Sequence, residues 1–140
     1  MRVKGDGAML NMEVNGTRLQ IELCDNSSAR AVEGLLKDGP LTIDMMDYAH
    51  MEKFGRLKQN LPTNDEYITT KAGDVILSEG NLLVLYYAPN TWTFTRLGRV
   101  KNLSEPELKK ALGKGNIRAV FSMGERQKSR MDYRKQENCE

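Results

Sequence analysis

The single histidine of this chain, His50, stands two positions before Glu52. An imidazole beside a carboxylate is the smallest pairing that could move a proton near neutral pH. A zinc or iron site would need three or four ligands, and there is no second histidine, so no metal is expected; a solvent-facing loop imidazole is the competing account. Asp65 and Glu66 could form a carboxylate pair, but neighbours on an extended chain point to opposite faces, so Asn64 and Asp65 read better as turn formers. Trp92, Phe94 and Arg96 alternate along one strand face, where ring stacking and a charged hydrogen bond could hold a planar or anionic ligand. Aromatic residues at strand spacing also line cores. Gly113-Lys114-Gly115 lacks the full spacing of a phosphate loop and reads as a helix terminator. Cys24 and Cys139 form neither a disulfide framework nor a metal pattern and read as two reduced thiols.

The elements that must position these residues are mostly short strands. Leu10, Met12 and Val14, then Leu19, Ile21 and Leu23, alternate with polar residues on either side of Asn15-Gly16, the strongest short hairpin signal. A helix follows, with an N-cap at Asn26–Ser28, an apolar stripe of Ala29, Val32, Leu35 and Leu36, and a stop at Gly39-Pro40. Leu41–Met45 alternates as a strand. Patterning then fades from Met46 to Asp65, which reads as a long functional loop with a short helix near Ala49–Phe54. Strands are expected at Glu66–Thr70, Val75–Leu77, Leu82–Ala88 and Thr91–Val100, with tight turns between them that favour antiparallel neighbours. Ser104-Glu105-Pro106-Glu107 is a capping box that opens a second helix. Asn116–Met123 is the last strand.

The chain has 140 residues, 39% hydrophobic and 29% charged, with 21 Lys and Arg against 19 Asp and Glu. That is the length and composition of one globular domain. A net charge of +2 is too small to point to nucleic acid. No apolar run is long enough for a membrane span, and no apolar leader follows Met1, so a cytoplasmic protein without membrane attachment is expected. Residues 1–8 read as a flexible lead-in, 9–123 as the folded domain and 124–140 as a polar charged tail. Regularly spaced short strands with two helices favour a sandwich or barrel.

The run Ala72-Gly73-Asp74-Val75-Ile76-Leu77-Ser78-Glu79-Gly80-Asn81, followed by Leu82–Tyr87, resembles cyclophilins, as do Trp92 and Leu97-Gly98-Arg99-Val100. The stretch with Asp47-Tyr48-Ala49, Met51-Glu52-Lys53, Leu61-Pro62, Asn64-Asp65-Glu66, Ile68-Thr69-Thr70 and Asn90-Thr91-Trp92 is more closely similar to small bacterial cyclophilin-like domains of unassigned function, which occur alone or beside flavodoxin-like domains. The resemblance implies a mainly β fold, a closed cyclophilin-like barrel of about eight strands with two capping helices. Cyclophilins carry Phe-His-Arg in a strand after the first helix and then Phe-Met-x-Gln-Gly-Gly-Asp; neither occurs here. Their arginine stabilises the twisted prolyl amide. Losing one such placed donor costs on the order of 2.7–4 kcal/mol of barrier reduction, so prolyl isomerase activity is expected to be absent or vestigial.

The expected function is binding of a small molecule or an extended peptide in a surface groove lined by Tyr48, His50, Glu52, Glu79, Trp92 and Arg96, with no cofactor and no catalytic residue. One alternative is an enzyme, either a vestigial prolyl isomerase or an acid–base catalyst using His50 with Glu52. Another is an interaction module for a flavodoxin-like partner.

Overall fold

The computed structural model describes residues 8–124; the expected lead-in and polar tail, with Cys139, otherwise lie outside the described residues. Nine strands and two helices follow in the order β1 (Met9–Val14), β2 (Thr17–Leu23), α1 (Ser27–Leu35), β3 (Leu41–Tyr48), β4 (Glu52–Arg56), β5 (Glu66–Thr70), β6 (Asp74–Ser78), β7 (Leu82–Tyr86), β8 (Asn90–Val100), α2 (Glu105–Leu112) and β9 (Ile117–Met123).

All strand pairs are antiparallel. Hydrogen bonding runs β2-β1-β9-β3-β4-β7-β6-β8, and β8 returns to β2, so eight strands close into a ring. The seam is short: Ile21, Glu22 and Leu23 face Val100, Arg99 and Gly98. β5 stays outside the ring and pairs with the first half of β8.

Local chemistry explains most boundaries. Asn15 and Gly16 both take positive φ (49° and 80°), as the two-residue turn between β1 and β2 requires. The Asn15 side chain also donates to the carbonyl of Ala111 at 2.9 Å, satisfying an orphan acceptor at the end of α2. Asn26 caps α1 by accepting from the Ala29 N–H at 2.8 Å. Ser104 and Glu107 form the reciprocal capping box of α2.

Two apolar clusters follow from the period of two. Along β7, Leu83 and Leu85 join a large cluster to which both helices contribute, whereas Leu82, Val84 and Tyr86 join a smaller one. Alternate strand residues point to opposite faces, so the large cluster fills the ring and the small one lies on its exterior. There Ile68 of β5 and Phe94 of β8 cover Ile76, Val84 and Tyr86.

Two expectations are corrected. The segment after Met45 is a hairpin rather than a loop with a short helix: β3 continues to Tyr48 and β4 occupies Glu52–Arg56. The inward positions of β4 are Lys53 and Gly55, both buried, so the strand carries no apolar alternation. Gly55 is required by a close approach, because a Cβ there would lie 2.4 Å from Cγ2 of Ile43 and 3.0 Å from the carbonyl oxygen of Asp44. Cys24, read as a free thiol, is disulfide-bonded.

Candidate functional site

The β3–β4 hairpin turns at Ala49 and His50, which both have positive φ (54° and 56°), and the Met51 N–H bonds the Tyr48 carbonyl at 3.0 Å. Non-glycine residues seldom hold this conformation. The turn brings Tyr48 opposite Glu52, and Glu52 opposite Tyr86 of β7. These three side chains lie on the exterior of the ring.

Glu52 sits beside polar groups. Asn90 Nδ2 donates to the Tyr86 hydroxyl at 3.0 Å, and Glu52 stands opposite Tyr86 in register. Partial burial pushes the Glu52 carboxyl above its ordinary range; the Tyr86 bond opposes this and the nearby Asp47 charge reinforces it. Burial likewise raises the Tyr86 phenol, with Asn90 opposing and Glu52 adding to the rise.

Beside Glu52 the chain turns inward. Lys53 is fully buried, and its Nζ donates to the carbonyls of Gly113 (2.9 Å) and Gly115 (2.6 Å) and pairs with Asp47 at 3.1 Å. It also lies 5.6 Å from the centre of the Tyr87 ring. The Tyr87 hydroxyl donates to Asp47. Burial alone would raise the Asp47 carboxyl, but bonds from Tyr87 and Lys53, the Lys53 charge and the His50 backbone hold it below the usual carboxylate range. The Tyr87 phenol is pushed up to about 12, by burial first and then by its bond to Asp47. This lysine has its donors engaged and no access to solvent, so it closes one end of the ring rather than acting as a nucleophile.

The six residues singled out from the sequence lie in separate places. Tyr48 and Glu52 share the exterior of the hairpin. The His50 side chain is 98% exposed at the turn, 3.8 Å from Asp47 through Nδ1. Trp92, 66% exposed, stands on the β5–β8 ribbon opposite Ile68. Arg96 lines a separate cleft between the end of β2, β6 and β8. Glu79 is in the β6–β7 turn, the end of β7 away from Tyr86. Asn64 and Asp65 brace the connection before β5: Asn64 donates to Ser27 and Ser28, and Asp65 accepts from the buried Thr95 hydroxyl at 2.6 Å.

Asp47, Lys53, Tyr87 and Asn90 were not singled out. The Tyr86-Tyr87 pair was readable as one residue facing in and one out, but nothing local shows that a strand lysine is buried. Among the described residues, no group of three His, Cys, Asp or Glu side chains could hold a metal ion.

The exterior face beside β4 is apolar. Phe54 is half-buried against the small cluster, with the Tyr48 ring edge-on to it at 6.4 Å and Met46 opposite it in register. Met46 and Tyr48 are about half exposed and form its open margin. Residues 12–122 match the model of the cyclophilin-like family. The chain belongs to the cyclophilin-like family. That membership accounts for the ring with its two helices and carries no assignment of activity to these residues. No curated protein matches the chain. Among the described residues, no helix of this cyclophilin-like domain is long and apolar enough to cross a membrane.

Proposed function

We propose that this cyclophilin-like domain binds a short extended peptide or a small apolar molecule along its exterior groove and does not catalyse prolyl isomerisation. One observation carries the reading: a second apolar cluster outside the ring, bordered by the exposed side chains of Met46 and Tyr48. A ring already filled by its own core has no need of exposed apolar side chains on this face, and contiguous exposed apolar surface is characteristic of binding sites. Asn90, Tyr86 and Glu52 supply the few polar groups that orient a ligand over such a floor.

The lack of catalysis rests on the donor. The exterior positions of β3 are Thr42, Asp44, Met46 and Tyr48, none of which carries a guanidinium. Arg118 of β9 reaches this face but is engaged by Asp44 at 2.8 Å. An isomerase depends on a donor aimed at the twisted amide.

The test combines a titration and a rate. Nuclear magnetic resonance spectra of the labelled protein are recorded with a short prolyl peptide and with its proline-free analogue. Saturable shifts at Phe54, Tyr86 and Asn90, lost in Phe54→Ala, are expected, with isomerisation at the uncatalysed rate. Acceleration above background that Phe54→Ala abolishes would replace this reading with the isomerase one. Shifts confined to other faces would remove the groove.

A further inference from the structure

Arg96 is a half-buried cation with few partners among the described residues. Its side chain is 17% exposed, and among the described residues the guanidinium makes a single long ion pair, 3.9 Å from Nε to Glu66, whose own side chain is 56% exposed. A guanidinium carries five N–H donors in a fixed fork. A largely buried polar group with most of its donors unused calls for a partner.

Arg96 lines a shallow cleft between the end of β2, β6 and β8. Its other cations are already matched: Arg99 Nε bonds the buried carboxylate of Asp74 at 2.7 Å, and Lys101 pairs with Glu22 at 3.4 Å. Asp74 is further held by the Lys71 N–H at 2.9 Å. Of the three cations, Arg99 and Lys101 have carboxylate partners within the cleft, whereas Arg96 has only the long contact to Glu66 outside its lining. Ile76 adds an apolar wall to the cleft.

We infer that this cleft is a carboxylate-binding site in which the Arg96 guanidinium receives both oxygens of a ligand carboxylate. The planar fork matches a carboxylate in two parallel hydrogen bonds. The carboxylate can come from a free small acid or from the end of a polypeptide. The site lies on β8, apart from Phe54 and Tyr48, and does not rest on the peptide groove.

The experiment titrates the isotope-labelled full chain with sodium acetate at pH 7, against sodium chloride at equal ionic strength. It observes the Arg96 side chain and the amides of Cys24, Ile76 and Gly98. A second arm compares a tripeptide bearing a free C-terminal carboxylate with its amide. Saturable shifts with acetate and not with chloride are expected, weakened at least fivefold in Arg96→Lys and abolished in Arg96→Gln. A free-carboxylate peptide that binds tighter than acetate, with no response to its amide, assigns the polypeptide source; equal or weaker binding assigns the small acid. The wild-type comparison decides the matter even if Arg96→Gln fails to fold. Identical responses to acetate and chloride, wild-type titration by Arg96→Gln, or preference for inorganic phosphate over acetate overturns the assignment.

Discussion

The Nζ of Lys53 lies 2.9 Å from the carbonyl oxygen of Gly113, which joins the middle of β4 to the end of α2. The buried lysine tail reaches that backbone at one end of the ring, and Asp47 and Tyr87 complete its surroundings. A buried ammonium is tolerated only when its donors are met.

Replacing Lys53 by methionine keeps most of the volume but leaves two glycine carbonyls and Asp47 without their cation. Removing one partner of a buried pair is costly. Lys53→Met should lower stability by about 3 kcal/mol, read as a shift of the urea midpoint with unchanged slope. A loss within a few tenths would mean that water replaces the ammonium.

Glu52 and Asp47 should respond to pH in opposite senses. The Asp47 carboxyl is lowered by folding, so its contribution is present above the unfolded value of about 3.9 and is lost as pH falls through the folded value. The Glu52 carboxyl is raised, so its contribution is full below the unfolded value of about 4.3 and is lost as pH rises through the folded one. Glu52→Gln should therefore raise the melting temperature at pH 7 and leave it unchanged near pH 3. Asp47→Asn should lower it at pH 7 and have little effect near pH 2.

The Ala49-His50 turn holds two non-glycine residues at positive φ. The β1–β2 turn solves the same geometry with Asn15-Gly16. Grafting that solution, as Ala49→Asn with His50→Gly, should stabilise the protein by about 1 kcal/mol, measured by chemical denaturation. Groove binding should be unchanged, because the imidazole faces solvent.

Gly55→Ala should be destabilising by roughly 1–3 kcal/mol, because the added methyl meets Ile43 and the Asp44 backbone. Combining it with Ile43→Val, which removes one methyl from that neighbour, should recover part of the loss. Equal midpoints for the single and double variants would place the strain in the backbone alone.

Where the local chemistry agreed with the fold, the sequence was readable. The Asn15-Gly16 hairpin, the Asn26 cap and the Ser104–Glu107 box all stand where their residue types imply, and the apolar runs at β6 and β7 mark buried strands. The β3–β4 hairpin was missed for a physical reason: Lys53 and Gly55 occupy the inward positions, and Ala49-His50 is an unlikely turn pair. The site was harder to read. His50 drew attention as the only imidazole, yet it points into solvent. The polar group with shifted titration is built from Asp47, Glu52, Tyr86 and Tyr87, which β3, β4 and the end of β7 bring together. Only the register of β3, β4 and β7 reveals that meeting.

The circuit of strands imposes an order on assembly. β1 pairs on one side with β2, its neighbour in the chain, and on the other with β9, the last strand. During synthesis the β1–β2 hairpin must wait with one edge unpaired until β9 has been made. Pairing across such sequence distance is slow, and a waiting edge is open to capture by other chains. Final closure thus waits for β9, and the interval before it is when the protein is most exposed to misassembly.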